Sequence, residues 1–137
     1  MRKIRNPFVG LEGYNCFGCS PGNYEGLQLS FAEEGEELVS KWQPKKHFQG
    51  YHNVLHGGIQ ATLMDEIASW IVYVKVRRSG VTSGMNVRYL KTVYVTDPML
   101  TLRARLIEMR RNLADIEVKL YDSSGNVCAE AMITYFT

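Results

Sequence analysis

The sequence predicts an α+β fold: one antiparallel sheet wrapped around a single long helix. Three observations carry this. Ile59 to Val76 is the longest helix-compatible run without Gly or Pro, and it is apolar nearly all round, as a helix buried in a core must be. Stretches of period-two alternation stand on both sides of it. The turns between the later stretches are short, so neighbouring strands pair as antiparallel hairpins. The predicted order is β-β-α-β-β-β-β, and the 137 residues make one domain.

Taken in order, residues 1 to 13 leave two readings open. Asn6 caps a short helix with Pro7 at its first position, or the segment is a loosely packed arm. Residues 15 to 26 are rich in Gly, Pro and Asn and read as a loop. Cys16 and Cys19 in that loop form one C-x-x-C. A structural zinc site needs four ligands and a redox pair needs reactive thiols; with no second C-x-x-C in the chain, two small buried thiols in a packed turn is the favoured reading. Gly26 to Glu33 alternates Leu27, Leu29 and Phe31 against Gln28, Ser30 and Ala32, a strand. Glu37 to Trp42 returns as its hairpin partner and stops at Pro44. Lys45, Lys46 and His47 read as a solvated loop, and residues 48 to 55 approach the helix.

After the helix, Arg77-Arg78-Ser79-Gly80 is a basic turn that suits the helix dipole. Val81 to Val95 is β-prone. Met99 to Met109 alternates Leu100, Leu102, Ala104 and Leu106 against Thr101, Arg103, Arg105 and Ile107. Arg110-Arg111-Asn112 turns the chain, Leu113 to Tyr121 pairs back, residues 122 to 126 are strong turn formers, and Val127 to Phe136 is the last strand.

Composition narrows the function. A net charge of +2 is too small to mark a nucleic-acid binder. Gln60, Asp65 and Glu66 near one end of the helix argue against a membrane span. The basic N-terminus has no apolar run behind it and the cysteine count is odd, so a cytoplasmic protein with reduced thiols is expected.

The chemistry concentrates at the helix. Thr62, Asp65, Glu66 and Ser69 fall within an arc of roughly 100°, a narrow polar stripe with two adjacent carboxylates. A carboxylate on a buried helix needs partners or a chemical use. Just before it stands His56-Gly57-Gly58. A helix N-terminus offers unpaired N–H groups, and glycines let a ligand approach them, so a carbonyl oxygen could be bound and polarised there.

His56-Gly57-Gly58, four residues, Leu63, one residue and Asp65 resembles the signature of hotdog-fold acyl-CoA thioesterases, in the phenylacetate-pathway (PaaI-like) branch. The approach Gln49-Gly50-Tyr51-His52-Asn53-Val54-Leu55 and the stretch Cys16-Phe17-Gly18-Cys19-Ser20-Pro21-Gly22-Asn23 before Gly26-Leu27 are similar to the same branch. The resemblance runs from about Asn15 to the C-terminus. It implies a hotdog fold and hydrolysis of an acyl- or aryl-CoA to free acid and coenzyme A. Coenzyme A is then part of the substrate, and neither cofactor nor metal is expected. The alternative within the fold is a non-catalytic acyl-CoA-binding or regulatory module.

Asp65 lies seven residues beyond Gly58, about 10 Å along the helix. That is too far to act on a carbonyl held at its own helix start. If both serve one reaction, they come from different subunits of a two-fold homodimer. The resemblance implies such a dimer, homodimeric or paired further into a tetramer. It assigns Gly57, with Gly58, to the carbonyl, and Asp65 to general-base or nucleophilic attack. His56 would orient the loop or sit near the sulfur, and Glu66 is the second-choice acid. Some relatives carry an Asn where this chain has Gly50; here Asn53 or a backbone N–H is the candidate second donor. A hydroxyl that positions water in relatives corresponds to Thr82, with Ser83 beside it. Arg88, Lys91, Arg110 and Arg111 are candidate phosphate partners. Leu63, Ile67 and Trp70 are candidate acyl-pocket residues.

Overall fold

The computed structural model describes residues 1–137. Seven strands form one antiparallel sheet: β1 (Arg2–Lys3), β2 (Ala32–Glu34), β3 (Glu37–Trp42), β4 (Val81–Tyr89), β5 (Leu100–Arg110), β6 (Leu113–Tyr121) and β7 (Val127–Phe136), in the order β1-β2-β3-β5-β6-β7-β4. The sheet wraps one helix, α1 (Gly57–Ile71). This is the hotdog arrangement. Leu63, Met64, Ile67, Ala68 and Ile71 are fully buried and pack against inward residues of the sheet such as Leu102, Ile116 and Ile133. Each large apolar side chain buried there contributes about 1.5–3 kcal/mol of transfer free energy.

Five boundaries differ from the sequence reading, each for a local reason. Residues 1 to 13 are neither helix nor loose arm. Arg2 and Lys3 add a strand beside β2, and Asn6 closes a turn by accepting from Phe8 N–H at 2.9 Å. Phe8 then packs edge-on to Trp70, which holds the arm down. The strand expected over 26–33 is a ladder only from Ala32. Leu27, Leu29 and Phe31 are buried as predicted, but Leu27 and Leu29 N–H bond to the carbonyls of Phe17 and Gly18, and the Trp42 indole donates to Leu27 C=O at 2.8 Å. The backbone there is taken by the C-x-x-C loop and by side chains, and Gln28 stands at φ 54°.

The helix begins at Gly57, two residues before the predicted start, because His56 caps it. Its last turn, Val72–Val76, is π-helical and ends on Arg77 in the left-handed region at φ 61°. Gly80 carries the chain on past Phe136, whose carbonyl would lie only 2.9 Å from an added Cβ. The β-prone run to Val95 is strand only to Tyr89; Leu90 and Lys91 N–H both donate to Cys128 C=O, which ends the ladder. The 110–112 turn tightens to Arg111 and Asn112, with Arg111 at φ 57°.

One edge of the sheet is β4. It pairs only with β7, and every residue of it except Val87 is exposed, including Val81, Met85 and Tyr89. Long exposed edge strands offer unpaired backbone groups to another chain. No helix in the structure is long and apolar enough to cross a membrane.

Candidate active site

The helix start is shaped around His56. Its Nδ1 accepts from Gly58 N–H at 2.9 Å, so the imidazole is the N-cap and Nε2 carries the proton when the ring is neutral. Glycines flank the ring on both sides: a Cβ on Gly50 would sit 3.3 Å from His56 Cδ2, and one on Gly58 would sit 3.0 Å from Nδ1. That is a steric reason for Gly50 where some relatives carry a larger residue. Gly58 N–H is thus used by the cap, whereas Gly57 N–H has no partner within the chain and sits at the positive end of the helix dipole. Tyr89 of β4 donates to Gly57 C=O at 2.7 Å and pins this loop to the open edge of the sheet. A cleft of about 410 Å³, lined by Gly50, Tyr51, Val54, Leu55, His56 and Gly57, opens here. Asn53 adopts φ 62°, and both its backbone N–H and C=O are engaged, by Gln49 and Val95. Only its side chain remains as a donor.

Asp65 sits two turns further along α1, half-buried. Its Oδ1 accepts from Thr82 Oγ1 at 2.8 Å and from the Tyr135 hydroxyl at 2.5 Å. Asp65 Oδ2 has no partner within the chain. Thr82 and Tyr135 are directly paired across β4 and β7. Ser83 is the extra residue of a bulge between Thr82 and Gly84, and it makes no side-chain hydrogen bond. Bulges of this kind re-aim side chains near functional sites. Burial first, and then the Asp65 carboxylate, push the Tyr135 phenol far above its ordinary pKa, so it remains a donor. Tyr135 was not nominated from the sequence. Strand parity shows that it points inward, but nothing local shows that it ends on Asp65.

Glu66 turns the other way. Its carboxylate accepts from the Trp70 indole at 3.1 Å and faces Cys16 Sγ at 3.7 and 3.8 Å. It fills the space beside Gly18, where a Cβ would come within 2.3 Å of Glu66 Oε1. Cys19 lies beside it, with its Sγ 2.9 Å from Tyr14 OH, and burial pushes that thiol well up. Thr62 and Ser69 spend their hydroxyls on helix carbonyls, at 2.8 Å to Gly58 and to Glu66. Leu63 and Ile67 are fully buried in the core, and Trp70 packs against Phe31. The structure therefore uses these three candidate acyl-pocket residues as core.

The basic candidates are spread out. Arg110 forms a bidentate pair with Asp115 at 2.7 and 2.9 Å, Arg88 faces Glu130 at 3.7 Å, and Lys91 faces Asp122 at 3.6 Å. Arg111 is exposed at the tip of the β5–β6 turn. That turn lies at the Asp65 end of the sheet, because Arg110 pairs Leu113, Leu113 pairs Phe136 and Phe136 pairs Val81. A further cleft of about 500 Å³ lies elsewhere, between the N-terminal arm and the π-helical turn, and touches neither His56 nor Asp65.

The fold is one that known proteins share. The family model described as Thioesterase superfamily matches residues 52–129, more than half of the chain. A Saccharolobus solfataricus protein provisionally named an esterase is 25% identical over 114 residues, 82% of this chain and 74% of its own. Among solved structures, a thioesterase superfamily protein, RHA08564, superimposes with a TM-score of 0.78 at 18% identity over 85% of this chain, which spans 57% of that one. A hypothetical thioesterase of Streptococcus pneumoniae, solved with coenzyme A, gives 0.72 at 23% identity over 79% of this chain and 84% of its own. A Ralstonia eutropha protein described as a phenylacetic-acid-degradation-related thioesterase gives 0.72 at 21% identity over 81% and 86%. The chain belongs to the thioesterase superfamily, a family of hotdog-fold thioester hydrolases.

Proposed function

We propose that this chain hydrolyses an acyl- or aryl-CoA thioester in the cytoplasm, at two sites shared across a homodimer. The observation that carries the reading is the placement of two half-sites along the open strand β4. Tyr89, at one end, holds the Gly57 loop, and Thr82, at the other, holds Asp65. If β4 pairs antiparallel with the β4 of a second copy about Met85, the Tyr89 end of each strand meets the Thr82 end of the other. Each Asp65 then faces the other copy's free Gly57 N–H. This supports the subunit sharing that the helix spacing demands.

In that site the thioester oxygen accepts from Gly57 N–H at the positive helix end, which stabilises the oxyanion formed on attack. Asp65 Oδ1 is fixed by Thr82 and Tyr135, so Oδ2 is the working oxygen. As general base it takes a proton from water as the water oxygen bonds to the carbonyl carbon. The C–S bond then breaks, and the proton passes to the departing coenzyme A sulfur, leaving the free acid. Oδ2 can instead attack as nucleophile: its bond to the carbonyl carbon forms, the C–S bond breaks and coenzyme A leaves as thiolate. Water then cleaves the anhydride to free acid and Asp65 carboxylate, and the proton released goes to the thiolate. A single turnover in ¹⁸O water that leaves the acid unlabelled and puts ¹⁸O into Asp65 identifies the second route, with water attacking the aspartyl carbon of the anhydride.

The first experiment is thiol release from a panel of short, long and aromatic acyl-CoAs. Turnover is expected on at least one of them. A protein whose melting temperature rises with acyl-CoA but which releases no thiol would instead be a binding module. Shared sites are tested by complementation. Gly57→Pro removes the N–H at a helix position Pro favours, and His56 already has the extended backbone a following Pro requires, at φ −57° and ψ 132°. Gly57→Pro and Asp65→Asn should each be inactive alone. Co-expressed, they should recover about a quarter of wild-type activity, because half the dimers are mixed and each has one intact site. No recovery from properly mixed dimers would place both groups' action within one chain.

A further inference from the structure

We propose that Cys16, Cys19 and Glu66 form a binding site for one zinc-class divalent cation, which clamps the N-terminal loop onto the central helix. The C-x-x-C supplies two sulfurs from one loop; the third ligand comes from α1, 50 residues away from Cys16. One ligand atom of each of the three residues lies within 4.8 Å of the other two. A tetrahedral zinc with bonds of about 2.3 Å to sulfur and 2.0 Å to oxygen has S···O edges of about 3.5 Å. The Cys16 Sγ to Glu66 separations of 3.7 and 3.8 Å already approach that edge.

Three features point to a ligand rather than to simple packing. The half-buried Glu66 carboxylate receives one strong donor, the Trp70 indole, and otherwise faces thiols, which are weak donors. A carboxylate in such a place calls for a cation. Two of the three ligands also have an outer partner that fixes their direction: Trp70 on Glu66, and Tyr14 on Cys19, with Asn6 in turn donating to Tyr14 at 2.9 Å. Finally, the loop is built for this approach. Gly18 leaves room for the carboxylate, and the Phe17 and Gly18 carbonyls are tied to Leu27 and Leu29. The three residues line a cleft of about 260 Å³ that also contains Ser69 and Arg78, through which a cation and a solvent ligand could enter. Two thiolates and one carboxylate suit zinc, cobalt or cadmium better than magnesium or calcium.

The test uses untagged full-length protein under reducing conditions and does not depend on thioesterase activity. Wild type should carry zinc at one per chain. Titration with cobalt(II) should give a near-ultraviolet thiolate-to-cobalt charge-transfer band that saturates at one equivalent. The band should vanish in Cys16→Ser and in Cys19→Ser. Glu66→Gln should weaken cobalt binding at least about tenfold, since even outer-shell changes typically cost 10–100-fold. A chelator should lower the melting temperature of wild type and leave that of Cys16→Ser unmoved. Wild-type protein with three reduced thiols, no zinc and no cobalt band would overturn the proposal, as would a band that survives both serine substitutions. The wild-type titration decides the matter even if a cysteine variant fails to fold.

Discussion

Asp65 and Glu66 are adjacent on one helix and about 100° apart around it, yet they belong to different structures. Asp65 looks toward the sheet edge, where a strand hydroxyl and a buried phenol hold one of its oxygens and leave the other free. Glu66 looks toward the N-terminal loop, where an indole and two cysteines surround it. Both are half-buried carboxylates, so burial alone does not separate them. What separates them is the state of their oxygens. A base needs one oxygen oriented and one open to substrate; Glu66 instead has one oxygen on the Trp70 indole and both turned to the Cys16 thiol.

The largest expected effect tests that difference directly. Asp65→Asn should lower kcat for thiol release by at least about 100-fold, the usual worth of a positioned base, with the fold intact by circular dichroism. Glu66→Gln should stay within about threefold of wild type in kcat and lose thermal stability instead. Equal losses from the two variants would erase the distinction and restore Glu66 as a rival base.

Tyr135→Phe sharpens the comparison at the next level. It keeps the buried ring and removes the hydroxyl that Asp65 Oδ1 shares with the Asp65 backbone carbonyl, leaving Thr82 in place. Hydrogen bonds to charged groups are worth about 1.5–3 kcal/mol, so kcat should fall at least about tenfold with KM little changed. An unchanged kcat would mean that Thr82 alone orients the carboxylate.

How much of this was legible in the sequence follows the same divide. The placement of Gly57 and Asp65 was legible because they lie on one continuous segment, where helical geometry converts spacing into position; that His56 takes the Gly58 N–H was not. Thr82 came from the resemblance as a hydroxyl that positions water; its contact with Asp65 was not foreseen and is a finding of the structure. Tyr135 was not legible, because its partner is 70 residues away and the register of β7 against β4 decides the contact. The C-x-x-C was visible but its third member was not, for the same reason. The strand at Arg2–Lys3 carries no apolar alternation at all; it exists because Ile4 N–H reaches Phe31 C=O and Phe8 docks on Trp70. Leu27, Leu29 and Phe31 showed the right burial but the wrong pairing, since alternation reports which side faces the core and not which backbone receives the hydrogen bonds.

The smallest effect comes from a third carboxylate at the same end of the sheet, one whose partner Arg110 is open to solvent. Asp115 is held below the usual carboxylate range first by Arg110 and then by the Thr134 hydroxyl. Its folded pKa is depressed, so its contribution to stability is present above the unfolded value and is lost as pH falls through the folded one. The window is therefore acidic, below about pH 4. Because the Arg110 side of the pair is open to solvent, solvent and salt screen it, and Asp115→Asn should lower the melting temperature at pH 7 by less than about 4 °C. The difference between wild type and variant should shrink as the pH is lowered through this window, and also as salt is raised at pH 7. Thiol release per folded enzyme should stay unchanged. A large loss of turnover in Asp115→Asn would mean that Arg110, freed from its partner, had disturbed the neighbouring Asp65 end of the site. The two carboxylates would then be coupled rather than separate.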